Sequence, residues 1–289
     1  MAVKIIVGST CDVEENIKKD LIVVPLHVTF GDEDFLDSVD ITKDEFYERL
    51  EKKEEFPMTS QPTPVAFMDI YKEVIDNGDE AVVIVLSSKL SGTYQSAKLA
   101  SEGLEDKIFI VDSLNVSNAE GALVDYATRL VKEGKSAREI KELLDEAKKR
   151  LRLVVLVDTL EYLERGGRIS KTSALLGNLF SVKVLLSMKD GAITSVGKAK
   201  GIKNANNLFI SEIEKTGSID FGMPIKLGYT GRDSSKIEKY LRETKSLWED
   251  KISSPEFIQI GSVVGTHTGP GALFSVSYTH LTLPTKRIV

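Results

Sequence analysis

Five short polar segments carry the residue types from which a small-anion site is built. They are Ser9-Thr10-Cys11-Asp12, Thr59-Ser60-Gln61-Pro62, Ser87 to Thr93, Glu164-Arg165-Gly166-Gly167-Arg168-Ile169, and Gly265-Thr266-His267-Thr268-Gly269-Pro270-Gly271. Hydroxyls beside glycine let a ligand reach both side-chain O–H and backbone N–H donors. Arg168 adds a fixed positive fork, and His267 a donor at neutral pH. Such a set suits one carboxylate or phosphate. Each segment also has a plain reading. Ser9 and Asp12 are good helix N-caps, and Ser91 or Thr93 can cap a following helix. Thr59 to Pro62 reads equally as a loop. Arg168 can pair with Glu164 at the surface, and the glycines around His267 suit a structural turn. Cys11 reads as a small core residue before it reads as a nucleophile.

Several other chemistries fail on spacing. The chain has no H-E-x-x-H, and its single cysteine excludes a cysteine-rich zinc site. Gly166 to Thr172 ends like a phosphate loop but lacks the glycine before Lys171. There is no G-x-S-x-G elbow, and Gly269-Pro270-Gly271 lacks the third glycine of a dinucleotide fingerprint. These absences weaken hydrolytic and nucleotide-dependent readings.

The polar segments follow apolar runs that must position them. Val3–Val7, Ala81–Leu86, Lys107–Val111 and Leu151–Val157 read as buried strands, and Ile22–Phe30 as a β-branched stretch interrupted by Pro25. Helical patterns lie between them. One starts at a Thr42-x-x-Glu45 capping box, one behind Pro64, and two fill 118–133 and 136–150. Strand alternating with helix, with polar residues at strand C-termini, predicts a parallel α/β domain over residues 1–157. The second half differs: strands at 182–187 and 192–196 flank a Lys189-Asp190-Gly191 turn, followed by further strands at 225–229 and 256–260. Helices fit 203–215 and 234–248. This predicts a smaller α+β domain over residues 158–274.

The chain's 289 residues suit about two domains. A net charge of −6 offers no field for nucleic acid or anionic membrane. One cysteine permits no intrachain disulfide, which suits a reducing compartment. The first residues lack the features of a signal peptide, and no apolar run approaches the roughly 20 residues needed to span a bilayer. A cytoplasmic location is therefore expected. From Ser275 the chain reads S-V-S-Y-T-H-L-T-L-P-T-K-R-I-V. Val276 to Thr285 resembles the translation of a sequencing adaptor, so residues 275–289 are expected to be a foreign tail that replaces a native closing strand. The alternating T-H-L-T-L also reads as a real strand.

The five segments, in this order, resemble the DegV family of bacterial fatty-acid-binding proteins, which includes the binding subunits of fatty acid kinase. The resemblance runs from Lys4 to about Leu273. It rests on S-T-C-D at 9–12, T-S-Q-P at 59–62, S-K-L-S-G-T-Y at 88–94, E-R-G-G-R-I at 164–169 and G-T-H-T-G-P-G-A at 265–272. It implies a two-domain α/β fold holding one long-chain fatty acid between its domains, without a cofactor or metal. It further implies that Thr59, Ser60, Ser91 and Gly92 bind the carboxylate. Arg168, His267 and Thr266 would form the rim from which a separate kinase subunit reaches the head group. Candidate chain-lining residues are Leu175, Leu176, Leu179, Phe180, Val182, Val184 and Leu185, all of which equally suit ordinary core. Two other functions compete: an autonomous phosphotransferase using His267 or Arg168, and a lipid hydrolase using Ser91 and His267.

Overall fold

The computed structural model describes residues 2–52, 55–169, 182–215, 219–245, 249–252 and 256–280. Four parallel strands form the first sheet: β1 (Val3–Gly8), β2 (Leu21–Val24), β6 (Glu80–Val85) and β7 (Ile108–Asp112), in the order β2-β1-β6-β7. Alternation along these strands feeds two cores. Ile6, Val83 and Val85 pack with Phe67 and Tyr71 of α3 (Pro64–Asp76) and Ala97 of α4 (Thr93–Ala100). Ile5, Val7, Val82 and Ile84 face the other way, towards Leu123 and Ala127 of α5 (Asn118–Lys132) and Ile140 and Leu144 of α6 (Ala137–Arg150). The capping box at Ser136 and Glu139 starts α6. The equivalent pair at Thr42 and Glu45 starts α2 (Lys43–Lys52), as expected.

Pro25 splits the predicted stretch 22–30 into β2 and β3 (His27–Phe30). With β4 (Glu33–Leu36) and β5 (Met58–Ser60), β3 forms a small antiparallel sheet in the order β4-β3-β5. Val28 and Phe30 seat this sheet on Phe46, Tyr47 and Leu50 of α2. Thr59 stands opposite Val28 in register, and Ser60 opposite His27.

The second sheet has six strands in the order β10-β9-β8-β13-β11-β12. They are β8 (Leu151–Val157), β9 (Val182–Lys189), β10 (Ala192–Lys200), β11 (Lys226–Tyr229), β12 (Phe257–Gln259) and β13 (Leu273–Tyr278). All neighbours are antiparallel except β11 and β12. Val154, Leu156 and Leu227 face Phe209 of α8 (Ile202–Lys215) and Tyr240 of α9 (Ser235–Glu243). Leu153, Val155, Phe274 and Val276 join the core that α5 and α6 share with the first sheet. The α5–α6 layer therefore has a sheet on each side, which is why 11 of the 15 residues of α5 are buried.

Two expected boundaries change. β8 was assigned to the parallel domain ending at 157, but it pairs antiparallel with β9 and β13 and belongs to the second sheet. A strand buried on both faces reads the same in either sheet, so its apolar run could not identify its partners. The expected foreign tail begins inside a strand: Ser275 to Tyr278 complete β13, paired with β8 on one side and β11 on the other. The second domain thus runs past 274, and residues 281–289 lie outside those described. The Lys189-Asp190-Gly191 turn forms as expected, with Asp190 and Gly191 at φ +51° and +80°, the pair of positive angles of a tight hairpin loop. No helix among the described residues is long and apolar enough to cross a membrane.

Candidate functional site

A cavity of about 300 Å³ opens where the C-terminal ends of β1 and β6 meet β5, the β9–β10 hairpin and a short helix, α10 (Ser262–Thr268). Leu26, Leu86, Leu90, Leu163, Ile193 and Val264 supply much of its wall. Its volume lies at the lower end of the roughly 300–1,000 Å³ usual for small-molecule sites. The hairpin is tied to the first sheet by Ser87, whose Oγ donates to the Gly191 carbonyl at 2.7 Å. This bond brings Ile193 to the cavity from the second sheet.

Thr59, Ser60, Ser91, Arg168 and His267, all singled out in the sequence, line this one cavity. Thr59 Oγ1 lies 2.9 Å from His267 Nε2. The other ring nitrogen, Nδ1, is buried and has no partner among the described residues. Burial, followed by the nearby Arg168 charge, lowers the His267 pKa to about 4, so the ring is neutral near pH 7. A neutral ring carries one proton, and an orphaned lone pair is tolerated better than an orphaned buried N–H. The proton is therefore assigned to Nε2, which donates to Thr59 Oγ1 and leaves the Thr59 hydroxyl hydrogen for a ligand. Gly166 makes this ring position possible: a Cβ there would stand 2.1 Å from Nδ1.

Arg168 does not pair with Glu164. Its Nε donates to the Leu90 carbonyl at 3.2 Å and its Nη1 to the Gly166 carbonyl at 2.7 Å. These bonds tie the loop after α7 (Glu161–Arg165) to the loop after β6 and hold the guanidinium at the cavity wall. Ser91 Oγ accepts from the Thr93 backbone N–H at 3.3 Å and lies 2.9 Å from Thr93 Oγ1, at the start of α4. Ser91 thus holds the start of α4 through its Oγ and also lines the cavity. Cys11 packs beside the core, and burial together with Glu120 and Asp12 pushes its thiol well up, against nucleophilic use.

Two assignments change. Residues 262–268 form helix α10 rather than a glycine-rich loop, and the positive φ angles of Gly269 and Gly271 come only after it. Thr266 is buried and donates its hydroxyl to the Ser262 carbonyl one turn back, so it does not reach the rim. Thr268, on the same helix, lines the cavity instead. Gly92 is the N-cap of α4, and its bare Cα is covered by Gln61, whose Oε1 would lie 1.9 Å from a Cβ there. Helical spacing from His267 was the missing signal, because G-T-H-T-G-P-G reads as a turn. Leu175, Leu176, Leu179 and Phe180 lie outside the described residues, while Val184 and Leu185 are core.

The family model described as "Uncharacterised protein, DegV family" matches residues 2–280. A DegV domain-containing protein of Caldanaerobacter subterraneus is 34% identical over 275 residues, covering 93% of this chain and 96% of the relative. A DegV family protein from Thermus thermophilus, described by its fatty acid binding, superposes with a TM-score of 0.86 at 28% identity, covering 97% of this chain and all of that one. A stearic-acid-binding protein from Eubacterium ventriosum gives 0.83 at 29% identity, covering 98% and 100%. In sequence over nearly its whole length, and in fold, the chain belongs to the DegV family.

Proposed function

We propose that this chain holds one long-chain fatty acid and presents its carboxylate to a separate kinase, which forms the acyl phosphate used in phospholipid synthesis. The observation that carries this reading is the single cavity in which Thr59, Ser91, Arg168 and His267 share an otherwise largely apolar lining. The fatty acid binding described for the Thermus protein and the stearic acid named for the Eubacterium one support it. A buried carboxylate left unpaired costs several kcal/mol, so it needs this cluster of donors. Thr59 offers the hydroxyl freed by His267, Ser91 a second hydroxyl at the start of α4, and Arg168 the balancing charge. The acyl chain supplies the driving force. At roughly 0.8 kcal/mol per CH₂, a chain of about sixteen carbons contributes a gross term of about 12 kcal/mol, reduced by the cost of ordering. On this reading the chain works in the cytoplasm without stable membrane insertion, binds no nucleic acid and performs no catalysis alone.

Native mass spectrometry of the purified protein, repeated after organic extraction, tests the ligand. The expected result is about one C14–C18 fatty acid per chain; an empty protein that also refuses added fatty acid would overturn the proposal. Incubation with ATP and fatty acid tests the partner. Acyl phosphate should form only when a fatty acid kinase catalytic subunit is added. Formation by the chain alone would establish the competing phosphotransferase, and release of fatty acid from an ester the hydrolase. Ser91→Ala should weaken fatty-acid binding by about 1.5–3 kcal/mol through loss of a charge-assisted hydrogen bond. Unchanged affinity in a direct titration would remove Ser91 from the site.

A further inference from the structure

One polar group in the cavity wall has no role in holding a carboxylate at Thr59 and Ser91. Thr10, in the loop after β1, lines the cavity beside Leu26 and Val116, and its Oγ1 lies 2.9 Å from Oε2 of Glu120. Glu120 is fully buried in the first turn of α5, and its second oxygen, Oε1, has no partner among the described residues. The approach is close by construction. Gly121 lets α5 press on this loop, since a Cβ there would stand 2.2 Å from the Asp12 carbonyl oxygen. Burial, which outweighs the opposing Thr10 hydrogen bond and is reinforced by Asp12 and Asp112, pushes the Glu120 carboxyl upward. Fully buried, with one oxygen unpartnered and no cation paired to it among the described residues, the acid is held neutral. A neutral carboxyl has one proton to place. On Oε1 it would be an orphaned donor; on Oε2 it is satisfied by donating to Thr10 Oγ1. The Thr10 hydroxyl hydrogen is then displaced from Glu120 and left for the cavity, where the neighbouring wall is apolar.

We infer that the Thr10–Glu120 pair is a hydrogen-bonding subsite for an oxygen carried along the acyl chain, selecting hydroxylated fatty acids over plain ones. The inference rests on the fatty-acid reading above. It differs from that reading in assigning the ligand a second polar contact besides its carboxylate. A saturated chain leaves the Thr10 donor unpaired, whereas a chain hydroxyl at the matching height accepts from it.

The test is competition binding of stearic acid against a positional series of hydroxystearic acids, read as the ratio of affinities. One or two adjacent positional isomers should bind about tenfold tighter than stearic acid, the value of roughly one buried hydrogen bond. The others should bind more weakly than stearic acid. Thr10→Val should abolish the preferred isomer's advantage, while Thr10→Ser should retain it. Glu120→Gln should also retain it, because the amide can still donate to Oγ1. The inference is overturned if every hydroxystearic acid binds more weakly than stearic acid, or if the preference survives in Thr10→Val. Failure of the wild-type protein to bind stearic acid or any of the series would instead refute the fatty-acid reading, and this inference with it.

Discussion

His267 acts through what its two nitrogens can and cannot reach. Nε2 is committed to Thr59 at 2.9 Å, and Nδ1 is sealed against Gly166. The ring therefore has little room, and on the proposed function its effect on a bound carboxylate passes through the Thr59 hydroxyl. Gly166→Ala should consequently behave like a mutation of the histidine, by pushing the ring off Thr59. The check is a double-mutant cycle in a fatty-acid titration. Gly166→Ala and His267→Ala should each weaken binding by about 1–2 kcal/mol, and the double variant should lose little more than either alone. Additive losses would mean that Gly166 and His267 act independently. Ser91, Arg168 and His267 stand out in the sequence as hydroxyl, guanidinium and imidazole near glycine, whereas Thr59 has no glycine neighbour and its proposed role comes from the family resemblance. The Thr59–His267 bond is not legible there, since it joins residues 208 positions apart.

At the scale of elements, α10 is held mainly by its approach. The Gly261 N–H just before it donates to Asp12 Oδ1 at 2.8 Å, the Ile260 carbonyl accepts from Tyr47 Oη at 2.9 Å, and the Gln259 carbonyl accepts from Lys43 Nζ at 2.5 Å. Asp12 is the hub: its Oδ2 accepts from Ser117 Oγ at 2.8 Å, and Lys43 Nζ lies 3.3 Å from its Oδ1. Asp12→Ala should lower unfolding free energy by about 2–4 kcal/mol, since it strands a buried N–H and a partly buried ammonium. Urea denaturation measures this; a loss below about 1 kcal/mol would show that water or a neighbour substitutes. The local N-cap that the sequence predicts for Asp12 does not form; its carboxylate accepts instead from a backbone N–H 249 residues away. Local pattern also revealed most strands and the helices on either side of them. It failed for β8 and β13, whose places depend on partners. An apolar run such as L-R-L-V-V-L-V announces burial on two faces but not which strands supply its hydrogen bonds.

Across the whole molecule, two buried groups pull the pH dependence of stability in opposite directions. Burial raises the Asp37 pKa from 3.8 to about 6, so the folded state binds more protons than the unfolded state in that window. Its contribution is therefore lost as pH rises from about 4 to 6. His267 is lowered from 6.5 to about 4, so the unfolded state binds more protons, and its contribution is gained as pH rises through the same range. The two slopes largely offset each other. Asp37→Asn should make stability climb more steeply with pH between about 4 and 6, and His267→Gln should make it fall. Urea midpoints measured across this range check both signs; parallel profiles for the two variants would contradict the assignment.

The order of strands in the second sheet has a consequence for how the molecule is made. Its neighbours run β10-β9-β8-β13-β11-β12, so the last strand among the described residues joins two groups that precede it in the chain. Until residues 273–278 arrive, β8 and β11 each present an open edge, with their backbone N–H and C=O groups unpaired. Helix α10, which carries His267, is followed by only a few residues before that joining strand. During synthesis the wall bearing Leu26 and Ser91 can therefore be complete before α10, held to it through Asp12 and Tyr47, brings His267 into place. A nascent chain short of β13 is thus exposed to edge-to-edge association through β8 and β11.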